Sequence, residues 1–423
     1  MHSVVLKGES DRFHQQAFKV VGGFYSLSAW ICKEMGVAIA SLESIEDLQA
    51  RWTEYRISQG ANPVHTFITA TDGNHGRGMA YACKMLGQQA VVLMPRGTAA
   101  RRVRNIEALG ARVEVTDKSY DPTVEMAIRR AAAEGFTLIQ DLAFEGYEEV
   151  PKLIMQGYTL LAQEICAQSR HPSPAPLSAV LPPTHIILQV GVGCLAASQV
   201  GYFRSRFPNS DIHVTLIEPL NAACLYVNGE RLAKAGSVPL LSSHPTLVSE
   251  MLSIEGDLET TMVGLACGVP SKIAYDILMN GANAFVKCDD EVAHEGMRSL
   301  HAVGVAAGES GAVGVGLLLQ LAAVVNKSKR SADESAIAGL AKSMNLNSFS
   351  RILVYNTEGA TDDVNYMRVV GSLPPSRPFH LNPPISLPFT MAEYGHRLSN
   401  VRAAMRAEGI SYALITKPEN IYY

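Results

Sequence analysis

The chain has 423 residues, of which 47% are hydrophobic and 18% are charged, and its formal net charge is -4. At roughly 150 residues per domain, this length leaves room for two or three domains with a sizeable buried core. A slightly acidic balance argues against a partner held through its phosphate backbone, so nucleic acid is not an expected partner.

The cysteines and the apolar stretches indicate the cellular compartment in which the protein is expected. The seven cysteines are scattered without a CxxC pair, and the histidines do not cluster at metal-ligand spacing, so we expect reduced core cysteines and no metal. Residues 1–7 lack the basic segment and long apolar run of a secretory signal. The longest apolar stretch, residues 311–325, is too short to cross a bilayer and predicts a buried helix. These features indicate a cytoplasmic protein without a membrane segment.

Short β-rich runs alternate with helical patterns through most of the chain, which predicts an α/β fold. Each repeated strand–helix unit favours a parallel sheet with right-handed crossovers and helices on both faces. A proline-rich connection at residues 171–183 separates two groups of strands, and residues 327–350 read as a polar insertion. The predicted strands of the first group are residues 64–69, 90–94, 111–115 and 136–140, and those of the second are residues 185–190, 214–217, 284–287 and 351–355.

Lys19 follows an aromatic residue and precedes the pair Gly22-Gly23. A lysine amine becomes useful in covalent catalysis when its pKa is lowered and its flexible stem is held, and such a tight segment suits that purpose. Most lysines are exposed charges, so an ordinary solvated lysine at a helix start is the alternative.

The predicted strand at residues 185–190 runs directly into Gly191, Val192, Gly193 and Cys194. Small residues at the start of a helix let backbone amides approach an anion, so this turn is a candidate phosphate cradle. A dinucleotide fold uses a similar turn and needs an acidic residue after the next strand, where Glu218 stands. The turn alone therefore leaves phosphate, dinucleotide and purely structural interpretations open.

Two aspartates follow predicted strands of the first group, where open α/β sheets place ligands. Asp72 lies in the segment Thr-Asp-Gly-Asn-His-Gly-Arg-Gly at residues 71–78, and Asp141 follows the strand at residues 136–140. Either can act as a base that removes a proton from carbon, or can simply cap the next helix. Asn74 can bind a ring oxygen or stabilise its own turn, and His75 is better explained as structural.

These segments together resemble the fold-type II pyridoxal-phosphate enzymes, and among them the diaminopropionate ammonia-lyase family. The similarity covers roughly residues 3–365 in family order. It rests on residues 7–19, 71–78, 140–147, 189–196, 264–270, 308–311 and 357–359.

The resemblance implies that pyridoxal 5'-phosphate is the cofactor and that Lys19 forms the covalent link to it. It further implies a phosphate site at Gly191, Val192, Gly193 and Cys194, with Asn74 and Thr357 also contacting the cofactor. The implied reaction converts 2,3-diaminopropionate, a small amino acid, to pyruvate and ammonia. Lys19 would serve the L enantiomer, Asp72 the D enantiomer, and Asp141 would assist substrate binding or proton transfer. A homodimer is expected by the same resemblance.

The resemblance also implies the domain organisation. Residues 1–27 and 146–368 would form a large cofactor-binding domain, and residues 28–145 a small α/β domain. Residues 369–423 would form a linker followed by a segment similar to the start of a creatinase or Xaa-Pro peptidase N-terminal domain. Two alternatives stay open at this point: a related serine or threonine dehydratase, and a catalytically silent remnant that binds the cofactor or an amino acid.

Overall fold

The computed structural model describes residues 3–71, 73–168, 182–234, 251–325 and 332–375. Within these ranges the fold is α/β, as predicted. The described chain divides into two compact units, one of residues 3–27 with 64–375 and one of residues 28–63. The domain boundaries proposed above stay a prediction. Most of the proline-rich connection and the segment similar to creatinase lie outside the described residues.

Two sheets carry the strands of the described chain, and every registered strand pair in them is parallel. The strands are β1 (Ser3–Gly8), β2 (Thr66–Ala70), β3 (Gln89–Met94), β4 (Arg112–Val115), β5 (Thr137–Leu138), β6 (His185–Gln189), β7 (His213–Pro219), β8 (Ala284–Cys288) and β9 (Arg351–Asn356). One sheet has the order β1-β9-β6-β7-β8 and the other β4-β3-β2-β5. The parallel sheets confirm the strand–helix interpretation of the sequence.

Helices of the described chain connect these strands. They are α1 (Lys19–Met35), α2 (Ile45–Ser58), α3 (Asn74–Met85), α4 (Ala100–Glu107), α5 (Tyr120–Glu134), α6 (Glu149–Gln168), α7 (Cys194–Arg206), α8 (Cys224–Lys234), α9 (Lys272–Gly281), α10 (Asp290–Ala302), α11 (Glu309–Val325), α12 (Ala332–Ser343) and α13 (Asp363–Val370). The buried helix predicted at residues 311–325 is confirmed as α11. The interpretation of residues 327–350 as a polar insertion was incomplete, because α12 lies there.

The sheet cores explain why these runs form strands. Every residue of β6 is buried, as expected for a central parallel strand covered on both faces. Leu317 and Leu321 of α11 pack with Ile187 of β6 and Val354 of β9 in one apolar cluster. In the smaller sheet, Ile68 and Leu93 form a second cluster with residues of α5. Both sheets are thereby fixed firmly enough to hold loops at their carboxyl edges.

The edge strand β1 was not predicted from the sequence, and a buried ionic network holds the residues around it. Lys7 Nζ lies 2.5 Å from Glu164 Oε2, and Arg12 donates to both Glu9 and Glu164 at 2.5 to 2.8 Å. The Glu9 side chain is fully buried and the Glu164 side chain is 12% exposed. This network ties the segment that precedes Lys19 to helix α6.

Replacing Glu164 with glutamine is expected to destabilise the fold by roughly 3 to 5 kcal/mol, because two buried cations are then left with Glu9 as their one carboxylate in this network. Burial opposes the charge of Glu164, but hydrogen bonds from Arg12 and Lys7 lower its pKa to about 2. The ionised carboxylate therefore stabilises the protein above its unfolded pKa of about 4.3, and this contribution is lost as the pH falls toward 2.

Urea unfolding at several pH values measures this effect. The difference between the wild type and Glu164→Gln should be largest near neutral pH and should shrink in acid. Glu148→Gln is the matched control, since Glu148 pairs with Lys152 at 3.0 Å on the surface, where ion pairs contribute little to stability. Equal losses in the two variants would contradict a special role for the network.

Candidate active site

A cavity of about 290 Å³ lies at the carboxyl ends of strands from both sheets. Its wall includes every predicted site residue that the structure describes. These are Lys19, Asn74, Asp141, Gly191, Val192, Gly193, Cys194 and Thr357. Residues distant in sequence therefore share one cavity. The remaining predicted site residue, Asp72, lies outside the described residues.

Lys19 is the first residue of α1, and backbone contacts on both sides fix its position. The amide of Phe18 donates to the carbonyl of Thr357 at 3.1 Å, and the amide of Gly359 donates to the carbonyl of Gln16 at 2.9 Å. A Cβ atom at Gly78 would lie only 2.9 Å from the Lys19 carbonyl group, so α3 needs glycine to pack here. The lysine is thus held between the strand-end segment 357–359 and α3.

The Lys19 amine forms an ion pair and hydrogen bond with the Asp141 carboxylate. Burial opposes the charge on Lys19, but Asp141 outweighs it and raises the pKa of the amine above its usual value. Burial likewise opposes the charge of Asp141, while His75 and Lys19 hold the pKa of that carboxyl well below its usual range. The expectation of a lowered lysine pKa was therefore wrong, because the charge of Asp141 outweighs the effect of burial.

His75 has a role in this arrangement that the sequence interpretation had not assigned. Its Nε2 atom lies 2.9 Å from the carbonyl oxygen of Ile139, and its Nδ1 atom lies 3.8 Å from Asp141 Oδ2. The ring is buried, so its orientation is fixed. His75 thus lies beside the Asp141 carboxylate without a hydrogen bond between the two side chains.

The glycine turn after β6, the predicted anion cradle, lines the cavity. Gly193 adopts a φ of +99°, and a Cβ atom there would lie 3.0 Å from atoms of both Ala274 and Leu278, so a larger residue does not fit. The turn leads into α7, whose first amides have no intrahelical acceptor and favour negative charge. Burial raises the pKa of the Cys194 thiol to about 12, so this thiol adds no negative charge to the cradle. Instead it donates to the carbonyl oxygen of Asp141 at 3.0 Å.

Asn74 donates to Glu358 at 2.6 Å and is also approached by Arg77 at 3.4 Å. Burial, together with Arg102, lowers the pKa of Arg77 to about 10, although Glu358 opposes this shift. The Asn74 amide is therefore oriented by two charged neighbours, Glu358 and Arg77. Both of these residues also line the cavity. Glu358 was quoted in a sequence motif but was not recognised as a site residue.

Gln189 and Ser310 are two further cavity residues that the site prediction missed. The Gln189 amide donates to the carbonyl oxygens of Ser310 and Tyr355 and to Thr357 Oγ1, at 2.9 to 3.1 Å. Gln189 Oε1 and Ser310 Oγ are buried and lack a hydrogen-bond partner within the described chain. Since buried polar atoms are normally satisfied, these orphaned atoms indicate that a polar ligand belongs in the cavity.

The dinucleotide interpretation finds no support in the position of Glu218. Its carboxylate accepts hydrogen bonds from the amides of Leu225 and Tyr226 at 2.9 and 2.7 Å, where it caps α8. It is buried and does not line the cavity.

Within the described ranges there is no group of three potential metal ligands. The helices of these ranges include none with the length and hydrophobicity of a membrane span.

Comparison with known proteins identifies the family of this chain. A profile of the family described as "Pyridoxal-phosphate dependent enzyme" matches residues 39–332. The chain belongs to this family of pyridoxal-phosphate dependent enzymes. Its relatives include diaminopropionate ammonia-lyases of Escherichia coli K12 and Salmonella typhimurium LT2, each 37% identical over 87% of this chain. The alignments cover 82% and 83% of those proteins.

Solved structures extend the comparison. The Escherichia coli diaminopropionate ammonia-lyase in complex with an aminoacrylate-PLP azomethine reaction intermediate matches with a TM-score of 0.69 and 37% identity, over 87% of this chain and 82% of that one. A tomato threonine deaminase, 17% identical with a TM-score of 0.58, shares the fold. The expected fold-type II architecture is confirmed.

The residues present fit pyridoxal phosphate, the cofactor of this family. The glycine turn suits its phosphate, while the orphaned Ser310 hydroxyl and Gln189 oxygen offer unused hydrogen-bonding capacity inside the cavity. Lys19 would supply the amine that a covalent link requires. The chemistry of the lining residues therefore suits this cofactor.

Proposed function

We propose that this chain is a lyase that converts 2,3-diaminopropionate to pyruvate and ammonia. One observation carries the proposal: the Lys19 amine contacts the Asp141 carboxylate in the cavity that the glycine turn also lines. The extent of similarity to the diaminopropionate ammonia-lyases supports this choice of substrate. When bound, pyridoxal phosphate supplies an electron sink for the carbon that loses its proton.

The chain's own residues then position the substrate and transfer protons. Lys19 Nζ would hold the cofactor covalently. Once the substrate amine has taken its place and Nζ has lost its own extra proton, it would take the α-proton of the L enantiomer. Asp141 keeps this nitrogen oriented and stabilises its positive charge. Asp72 takes the proton of the D enantiomer from the opposite face, a role that rests on the sequence alone. The remaining assigned groups hold the cofactor: Asn74 at the ring, Gly191, Val192, Gly193 and Cys194 at the phosphate, and Thr357 beside Gln189.

Substrate and enantiomer tests address this division of labour. The wild type should release pyruvate from both enantiomers of 2,3-diaminopropionate faster than from serine or threonine. Asp72→Asn should lower kcat/KM for the D enantiomer by about 10² to 10⁴, the usual contribution of a general base, and should affect the L enantiomer much less.

Asp117→Asn is the control, because Asp117 is an exposed residue outside the cavity. It should leave both enantiomers unaffected. An equal loss for both enantiomers in Asp72→Asn would refute the two-base assignment. Pyruvate release from serine alone would refute the substrate.

We also propose that the enzyme is a homodimer in the cytoplasm. All seven cysteines are free, which agrees with a compartment that keeps thiols reduced. The dimer is proposed from the resemblance to fold-type II enzymes. Analytical ultracentrifugation and cell fractionation measure the two properties separately.

A further inference from the structure

Ser271 joins the glycine turn, the segment after Asp141 and helix α9, although it does not line the cavity itself. Its amide donates to the carbonyl oxygen of Val192 in the glycine turn at 2.8 Å. Its hydroxyl oxygen accepts from the amide of Ala143, two residues after Asp141, at 3.1 Å. Its own carbonyl accepts from Tyr275 of α9 at 2.8 Å. The residue is fully buried, so water does not compete for these bonds.

The use of the hydroxyl group is unusual for its place in the fold. Ser271 occupies the N-cap position of α9, where a serine side chain ordinarily accepts from an amide of its own helix. Here the side chain makes no capping hydrogen bond. It reaches instead to Ala143, across the gap between α9 and the segment after β5. Helix capping therefore does not explain this side chain.

A second set of contacts runs parallel to the first. The amide of Lys272 donates to the carbonyl oxygen of Ala143 at 3.4 Å, and the Cys194 thiol donates to the carbonyl oxygen of Asp141 at 3.0 Å. The Ser271 hydroxyl also contacts Cys194, where it opposes the rise in the pKa of that thiol. The glycine turn and residues 141–143 are thus connected through one buried junction.

We propose that Ser271 is a positioning residue that couples the phosphate cradle to the Asp141–Lys19 pair. An anion that orders the turn at Val192 also orders the chain at Ala143, because both hydrogen bonds end on Ser271. The Asp141 carboxylate is then set correctly for Lys19 when the cradle is filled. This inference rests on the assignment of the cradle and of Asp141 in the proposed function.

Hydrogen exchange of the backbone amides of residues 141–144 tests the coupling in the whole enzyme. In the wild type, addition of pyridoxal phosphate should slow this exchange. In Ser271→Ala, the slowing should be reduced by about threefold to tenfold, the factor that one hydrogen bond of ordinary strength provides. The pH midpoint of the visible absorption of the bound cofactor should also fall, because a displaced Asp141 stabilises the positive charge at Lys19 less.

Ser350→Ala is a matched control, because Ser350 is equally buried and its hydroxyl accepts the amide of Asn347 at 2.9 Å away from the cavity. It should lose comparable stability while the exchange response and the absorption midpoint stay as in the wild type. Ser271→Thr keeps the acceptor oxygen and should restore the response. Cys194→Ala removes the parallel bond and should weaken the response even if Ser271→Ala folds poorly.

The outcomes separate this inference from the proposed substrate. A Ser271→Ala enzyme that responds to the cofactor as Ser350→Ala does would overturn the positioning role. Because pyruvate release is not the readout, failure on 2,3-diaminopropionate with intact coupling would refute the substrate alone. A wild type that releases pyruvate without any slowing at residues 141–144 would refute the coupling alone.

Discussion

Lys19→Ala is expected to lower pyruvate release by at least about 10³-fold, since it removes both a covalent attachment point and a general base. The structure gives the reason. The amine is held by backbone contacts at Phe18 and Gly359 and faces a buried carboxylate. The described cavity wall contains no second lysine that could replace it. The coupled assay for pyruvate measures the loss.

Borohydride reduction followed by mass spectrometry adds a direct readout. The wild type should carry the cofactor on the peptide that contains Lys19, and Lys19→Ala should carry none. Lys84→Ala, which alters an exposed lysine at the end of α3, should behave as the wild type. Appreciable activity in Lys19→Ala, or a cofactor attached elsewhere, would disprove the assignment.

Asp141→Asn has the second largest expected effect, a loss of about 10² to 10⁴ in kcat/KM for both enantiomers. Asparagine preserves the shape of the side chain but removes the negative charge that raises the pKa of Lys19 against the effect of burial. Burial then dominates, and the pKa of Lys19 falls. The Lys19 amine therefore loses its proton at a lower pH in the variant than in the wild type.

Trace labelling with acetic anhydride across a pH series measures this shift in cofactor-free protein, because the reagent attacks uncharged amines. The labelling midpoint of Lys19 should move to lower pH in Asp141→Asn and stay unchanged in the exposed variant Asp257→Asn. An unmoved midpoint would show that Asp141 does not control the amine. In the wild type, the pair also loses its stabilising effect in strong acid, as Asp141 becomes protonated.

The strands of the second group, the buried helix α11 and the glycine turn could be predicted from the sequence because each is encoded locally. A run such as Ile-Ile-Leu in β6 has few alternatives to a buried strand, and parallel strands bring their carboxyl ends to one edge. The turn at Gly191 and the segment after β9 therefore lie at one edge of the larger sheet. Asp141 follows β5 of the other sheet, so its contact with Cys194 could not be predicted from strand order.

Other parts depend on partners that the sequence does not reveal. β1 is a short edge strand with exposed valines, and it forms because β9 offers a free edge. Ser271 follows a proline and looks like an ordinary helix cap, although its hydroxyl bonds elsewhere. Gln189 and Ser310 become candidate ligand-binding residues only once folding places both of them in the wall of one cavity. Long-range packing, not local pattern, makes these residues functional.

The backbone pairing of Ala17 with Glu358 joins the two ends of the catalytic unit. Lys19 is synthesised early during translation, whereas residues 357–359, which contact the backbone around it, are synthesised much later. Contacts between such distant positions are slow to form because a long loop must close first. The nascent chain is therefore expected to acquire its binding competence late, after both sheets have been synthesised.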